Sequence, residues 1–252
     1  SGALPPALRD LAAGTLDIRI IMPFHAAVKK LNPPHRFIGN FAFEANGRSI
    51  ATDLFVSELS DVPVYLLDNE FINHDSPVYH GDWTLDGLKY VTFSLAVLEA
   101  ARYLDWKIDI LHANDWHTAL SVYALKTIYA DDPFFAGVKT ILSVHNLPFN
   151  GWGSQEAMSS LGFEPSSDPD LPDWAKFTPL PLGLSASDKF IAVSPNYARE
   201  ILTPEFGCGM EGYLQKHVEK VMGILNGIDE SKWDPATDKA ISSNFNLDNI
   251  EG

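Results

Sequence analysis

The sequence has a single cysteine and no long apolar run. Cys208 is the only cysteine among 252 residues, so an intramolecular disulfide is excluded, as suits a reducing cytoplasm. No apolar stretch approaches the roughly 20 residues needed to cross a bilayer. The opening Ser1-Gly2-Ala3 lacks the charged and then apolar segments of a signal peptide. These absences predict a cytoplasmic protein with no membrane partner.

Basic residues are also scarce. Lysine and arginine number 18 against 33 aspartates and glutamates, for a formal net charge of −15. Such a surface repels nucleic-acid phosphates and anionic lipids, so we expect no nucleic-acid or membrane-surface partner. An anionic substrate would need local basic groups or helix N-termini, of which the sequence offers few.

Several catalytic motifs are missing. The sequence has no Gly-x-Ser-x-Gly elbow, which argues against covalent acyl transfer. It has neither a Gly-x-Gly-x-x-Gly fingerprint nor a P-loop, which argues against an ordinary dehydrogenase or NTPase. Cys208 lies between two glycines without a basic neighbour, so we interpret it as incidental.

The chain reads as strands alternating with helices. Hydrophobic residues make up 46% of the chain, enough for a large core. Short β-branched runs predict strands at 17–23, 37–45, 49–56, 62–67, 108–111, 138–144, 189–193 and 221–225. Helical spacing of apolar residues predicts helices at 88–104, 117–129, 194–201 and 212–219. Asn46-Gly47 is typical of a hairpin, so 37–45, 49–56 and 62–67 are expected to form a strand meander. The stretch 150–173 is expected to be a mobile, loop-rich excursion with one short helix. The alternation predicts an α/β fold with a parallel sheet covered on both faces.

Polar motifs follow four of the predicted strands. Ligands of open parallel sheets bind beyond the carboxyl ends of the strands, so we expect these motifs to line one cleft. They are His112 to His117, His145-Asn146, Ser194 to Tyr197, and Asn226 to Asp229.

Each motif also has a structural interpretation. Asp115 precedes a helix and is placed to act as its N-cap, while Trp116 suits the core. His145-Asn146 and Asn226-Gly227 are also typical of turns. His112, Asp115, His117 and His145 are of types that bind zinc. Their spacing does not require convergence, so a metal-dependent hydrolase is a lesser hypothesis that elemental analysis would test.

The motifs resemble those of glycogen and starch synthases. Residues 112–117, HANDWH, look like the HAHDWH segment of that family, with Asn114 in place of the middle histidine. Residues 143–147 resemble its TVHN segment, and 192–214, AVSPNYAREILTPEFGCGMEGYL, resemble a long and specific block. GILNGIDESKWD at 223–234 is similar to the segment that closes the family's N-terminal domain. The resemblance covers nearly the whole chain in the family's order.

The resemblance implies the Rossmann-like, acceptor-side N-terminal half of a GT-B glycosyltransferase, spanning residues 1–252. The implied reaction transfers glucose from ADP-glucose, or UDP-glucose in some members, to a growing α-1,4-glucan with retention. No cofactor is implied, because the nucleotide sugar is a substrate. By the resemblance, His145 and Asp115 are catalytic, and substrate is bound by Asn226, Tyr79, Trp116, Asn146 and Gly227. Tyr79 lies in a segment, Ser76 to His80, that has an extra Val78 relative to the family's pattern.

Two departures qualify this expectation. The family's first strand and its Lys-x-Gly-Gly loop are not found in the sequence, nor is the C-terminal domain that holds the nucleotide sugar. We therefore expect residues 1–252 to be unable to turn over alone. The alternative is a non-catalytic glucan-binding module of the same fold.

Overall fold

The computed structural model describes residues 2–230 and 233–250. Helices and strands alternate along most of the chain. In order they are α1 (Leu4–Leu11), β1 (Ile20–Pro23), α2 (Ala26–Leu31), β2 (Arg36–Ala45), β3 (Arg48–Leu59), β4 (Val62–Asn69), α3 (Trp83–Tyr103), β5 (Ile110–Asn114), α4 (Asp115–Lys126), β6 (Lys139–Val144), α5 (Gln155–Ser160), α6 (Pro179–Ala186), β7 (Lys189–Ala192), α7 (Pro195–Glu200), α8 (Glu211–Lys216) and β8 (Val221–Gly223).

The amino-terminal strands form a mixed sheet of order β1-β4-β3-β2. Only β1 and β4 are parallel, whereas β2, β3 and β4 form an antiparallel meander. Asn46 and Gly47 join β2 to β3, both with positive φ, as the sequence predicts for a tight hairpin. A connection this short permits only antiparallel pairing, and the meander predicted for these three strands is confirmed.

The remaining strands form a parallel sheet of order β5-β6-β7-β8. Here the expected parallel order is confirmed. Helix α4 follows β5 and packs on β5 and β6, while α7 packs on β7 and β8. Parallel strands need such crossovers, and the helices bury the apolar faces of the sheet. None of the helices in 2–230 and 233–250 is long and apolar enough to span a membrane.

Helix α6 was missed in the sequence because it contains two prolines. Pro179 and Pro181 lie in its first turn, where backbone N–H groups need no helical partner. Gly183 then lets α6 approach α4 closely, since a Cβ at this position would lie 2.6 Å from the Ala119 side chain. The helix is buried along most of its length.

The segment 150–173 is packed into the core and is not a loose excursion. It contains helix α5, which buries Met158 completely. Leu161, Phe163 and Leu171 are each only 2% exposed and belong to the main hydrophobic cluster. The glycines and prolines of this stretch therefore shape a compact, buried connection.

Candidate active site

The register of the parallel sheet aligns the ends of its strands. Asn114 pairs with Ser143, and Val144 pairs with Ala192, which in turn pairs with Gly223. The residues that follow these positions therefore emerge side by side at one edge of the sheet. This edge is where open α/β sheets bind their ligands.

Asp115 and His145 form the central contact at this edge. The backbone N–H of His145 donates to Oδ1 of Asp115 at 2.7 Å, and Nδ1 of the His145 ring lies 3.1 Å from Oδ2. The Asp115 carboxylate thus holds both the backbone and the ring of His145 and favours a proton on Nδ1. The side chain of His145 is 36% exposed, so its Nε2 is left to meet a ligand.

The backbone of Asp115 is in the left-handed region, with φ of 55°. Aspartate tolerates this conformation better than most residues, at a cost of about 1 kcal/mol. Thr118 fixes the preceding residue, because its hydroxyl accepts from the Asn114 N–H at 2.6 Å and donates to the Asn114 carbonyl at 2.8 Å. The carboxylate is thereby directed at His145 instead of at the amides of α4.

The third strand, β7, leads into helix α7, and Tyr197 of this helix holds the turn after His145. Its hydroxyl accepts from the Leu147 N–H at 2.9 Å. Ser194 caps α7 by accepting from the Tyr197 N–H at 2.9 Å. Burial raises the pKa of Tyr197, the hydrogen bond from the Leu147 N–H opposes this rise, and the negative charge of Asp115 adds a smaller increase. Strand β7 therefore supports the Asp115–His145 pair from the side.

Tyr79 reaches the site from the amino-terminal half of the chain. Its hydroxyl lies 2.6 Å from Nε2 of His117 on α4, and its side chain stays exposed. Burial raises the pKa of Tyr79, with smaller contributions from the negative charges of Asp115 and Asp86. The effect of Asp115 places Tyr79 in the electrostatic neighbourhood of the central pair.

The loop that carries Tyr79 is tied down by helix α3. Lys89, which is fully buried, donates from Nζ to the carbonyls of Pro77 at 2.6 Å and Val78 at 3.2 Å. Tyr90 donates to the same Val78 carbonyl at 2.7 Å. Asp86 of α3 accepts from the backbone N–H of the next residue, His80, and contacts its ring, each at 2.9 Å. Both flanks of Tyr79 are therefore anchored.

Trp116 lies in the core. It is 3% exposed, with its ring 5.0 Å from that of Tyr90. Gly151 passes so close that a Cβ there would lie 2.8 Å from the Trp116 ring. This placement supports the packing interpretation, and it does not support the expectation that Trp116 offers a ring face to a sugar.

Asn146, Asn226 and Gly227 are exposed. Asn146 directly follows His145. Asn226 and Gly227 follow the end of β8 and so leave the sheet at the same edge. Their contact with a ligand stays a prediction.

Burial lowers the pKa of three further histidines. Burial lowers the pKa of His117 to about 4 and that of His25 also to about 4, the latter with help from the charge of Lys89. Burial also lowers the pKa of His112. Nε2 of this histidine lies 2.7 Å from the Ser143 hydroxyl.

The zinc-type residues of the sequence have separate partners. His112 contacts Ser143, His117 contacts Tyr79, and His145 contacts Asp115. Within residues 2–230 and 233–250, no group of three or more histidine, cysteine, aspartate or glutamate side chains is arranged to hold a metal ion. The geometry supports binding of hydroxyl groups through oriented imidazole, phenol and carboxylate.

The sequence motifs do not indicate Lys89 as part of this site, whereas His117 and Tyr197 belong to polar motifs that are expected to line the cleft. The sequence does not show that the partner of Tyr197 is the backbone N–H of Leu147. Lys89 is a charge in the apolar stripe of α3, and such a buried charge requires partners.

Comparisons with known proteins identify the family of the chain. Residues 1–216 match the model of a family described as "Starch synthase catalytic domain". The glycogen synthase of Lacticaseibacillus casei is 35% identical over 256 residues, covering 99% of this chain and 52% of the relative. The glycogen synthase of Geotalea daltonii is 36% identical over 251 residues, covering 97% and 51%. The chain thus spans about half the length of the curated relatives it matches.

A solved structure shares the fold. The catalytic domain of starch synthase IV from Arabidopsis thaliana, bound to ADP and acarbose, superposes with a TM-score of 0.82 at 24% identity. The match covers 98% of this chain and 51% of that chain. It confirms the Rossmann-like α/β class expected from the sequence. With the family match extending over residues 1–216, the chain belongs to the starch synthase catalytic domain family.

Proposed function

We propose that the chain forms the acceptor-side half of a retaining glucosyltransferase. The reaction transfers glucose from ADP-glucose to the non-reducing end of an α-1,4-glucan. The observation that carries this proposal is the Asp115–His145 pair at the carboxyl edge of the parallel sheet. The glycogen synthases among the relatives support the reaction. The ADP and acarbose bound to the Arabidopsis protein support a nucleotide and an oligosaccharide as ligands.

Within this proposal, His145 and Asp115 act at the reacting sugar. A carboxylate-oriented imidazole fixes one ring nitrogen as a donor and leaves the other for a sugar hydroxyl. Tyr79, Asn146, Asn226 and Gly227 supply further contacts to substrate. Trp116 contributes packing beneath the site. Such fixed groups lower the barrier chiefly by positioning and by electrostatic preorganisation.

We assign the nucleotide contacts to the second half of the GT-B fold, outside residues 1–252. The strongly acidic composition of this chain suits neutral glucan better than a diphosphate. We also propose a cytoplasmic location, which the kinship with bacterial glycogen synthases supports. ADP-glucose is the proposed donor, and UDP-glucose is the competing one.

The test is glucose incorporation by the full-length protein and its His145→Ala variant. Labelled ADP-glucose and glycogen are the substrates, with labelled UDP-glucose in a parallel assay. We expect a fall in kcat of at least about 10²-fold, with little change in thermal stability because His145 is partly exposed. The matched control is His35→Ala, at an exposed histidine in the connection that precedes β2. Activity within a few-fold of wild type would show that His145 is misassigned.

The alternative, a non-catalytic glucan-binding module, has a distinct signature. It predicts that the full-length protein binds maltooligosaccharides but incorporates no glucose from either donor. The polypeptide of residues 1–252 is expected to bind maltooligosaccharide without turnover. Robust incorporation by that polypeptide would contradict our assignment of the donor contacts.

A further inference from the structure

The hydrogen bond between Tyr79 and His117 has a defined direction, and this direction affects how Tyr79 can bind a substrate. We propose that His117 is a positioning residue. It accepts a hydrogen bond from the Tyr79 hydroxyl, so that the lone pairs of the phenol oxygen face the ligand and accept from a sugar hydroxyl. This inference rests on the proposed function. It adds a role for His117, which lies behind the residues that touch the sugar.

The His117 ring is held firmly in place. Its centroid lies 4.5 Å from that of Trp116 and 4.6 Å from that of Tyr90, which meets it edge-on. The His117 carbonyl also accepts from the Ser94 hydroxyl at 3.4 Å. Packed aromatic neighbours restrict rotation of the ring. Nε2 therefore stays directed at Tyr79.

The direction of the hydrogen bond follows from chemistry. Burial lowers the pKa of His117 to about 4, so the ring is neutral near pH 7 and carries one N–H. A bare imidazole nitrogen is a stronger acceptor than a phenol oxygen, and a phenol is the stronger donor. The Tyr79 hydroxyl therefore donates to Nε2 across 2.6 Å.

The Tyr79 oxygen then offers lone pairs to the cleft. Asp115 lies in its electrostatic neighbourhood and adds negative charge to this face of the site. Groups of this kind match ligands that donate hydrogen bonds, such as the hydroxyls of glucose, and they repel phosphate. We therefore place a sugar ring at Tyr79, and not the nucleotide.

The test is a double-mutant cycle in the full-length protein with Tyr79→Phe, His117→Leu and both together. Each single change is expected to lower kcat/KM for glucan about 10- to 100-fold, while KM for ADP-glucose changes little. Because His117 acts through Tyr79, the double variant should be no worse than Tyr79→Phe. Losses that multiply in the double variant would overturn the proposal.

Two conservative changes keep the test decisive if His117→Leu folds poorly. Glutamine places an acceptor near the position of Nε2, whereas asparagine places one near Nδ1. His117→Gln should retain most of the activity and His117→Asn should lose it, with thermal midpoints measured for both. Equal activities in these two variants would contradict the role of His117. Wild-type protein without glucose incorporation would instead contradict the proposed function itself.

Discussion

Both carboxylate oxygens of Asp115 are directed at one residue, His145, with Oδ1 2.7 Å from its backbone nitrogen and Oδ2 3.1 Å from Nδ1 of its ring. The two residues directly follow β5 and β6, which are neighbours in the parallel sheet. One side chain thus sets both the position and the tautomer of the other.

Two substitutions of Asp115 distinguish the effect of its charge on turnover from the effect of its backbone conformation on stability. Asp115→Asn keeps a residue that tolerates positive φ but removes the charge, so kcat should fall at least about 10²-fold at nearly unchanged stability. Asp115→Ala should lose activity and also about 1 kcal/mol of unfolding free energy from strain. Kinetics and urea unfolding of both variants measure these effects.

Asp105 provides the matched control, because it is exposed and also has positive φ, at 48°. Asp105→Ala should reproduce the loss of stability without the loss of turnover. If Asp115→Asn keeps wild-type kcat, the carboxylate has no role in the reaction.

Tyr197→Phe removes the acceptor for the Leu147 N–H. Leu147 is buried, so its unpaired amide should cost about 1–3 kcal/mol of unfolding free energy. Because that amide fixes the turn after His145, we also expect a lower kcat. Tyr103→Phe, at a partly exposed tyrosine of α3, serves as the control. A change in unfolding free energy no larger than that of the control would contradict this account.

Lys89→Met tests the tether of the Tyr79 loop. Methionine fills a similar volume but cannot donate to the carbonyls of Pro77 and Val78. The substitution should lower the free energy of unfolding by about 2 kcal/mol. It should also raise KM for glucan, because Tyr79 loses its fixed position. Lys30→Met on the exposed part of α2 is the control. Unchanged KM with lowered stability would show that the tether supports the fold alone.

Stability should fall as the pH drops below neutrality. The pKa of His25 is about 4 in the folded protein and about 6.5 when unfolded. The unfolded chain therefore binds more protons between these values, and the contribution of neutral His25 is complete above pH 6.5 and lost as the pH falls toward 4. Between about pH 7 and about pH 5.5 the loss should be about 1 kcal/mol for this group.

Urea unfolding of wild type and His25→Phe at both pH values measures this contribution. His25 is buried beside Tyr90, and its Nδ1 is without a hydrogen-bond partner, so phenylalanine fits the site. The variant should lose less stability than wild type over this range, with the remaining loss due to the other buried histidines, His117 and His112. Equal losses would mean that His25 does not remain neutral in the fold.

The positions of the strands along the chain, but not their order within each sheet, followed from local patterns in the sequence. β-Branched runs with polar residues at their ends predicted the parallel strands and the edge where Asp115 and His145 meet. Strand β5 ends at Asn114, later than predicted, because hydrogen bonding to β6 continues through the polar residues His112 and Asn114. Periodicity reports side-chain burial, and it does not show where a ladder of backbone bonds ends.

Long-range contacts were not visible in the sequence. Tyr79 and His117 are 38 positions apart. Their contact depends on how the loop between β4 and α3, which carries Tyr79, packs against α3. The burial of Trp116 likewise depends on Gly151 from a distant segment. Local spacing specifies elements, whereas these pairs depend on tertiary packing.

The anchoring of the Tyr79 loop through carbonyl oxygens has an evolutionary consequence. Every amino acid carries that oxygen, so Lys89 and Tyr90 can hold the loop whatever side chains occupy positions 77 and 78. Side-chain substitutions at positions 77 and 78 are thus expected to leave these hydrogen bonds, and the position of Tyr79, unchanged. Loop composition can drift between homologues while the phenol keeps its place.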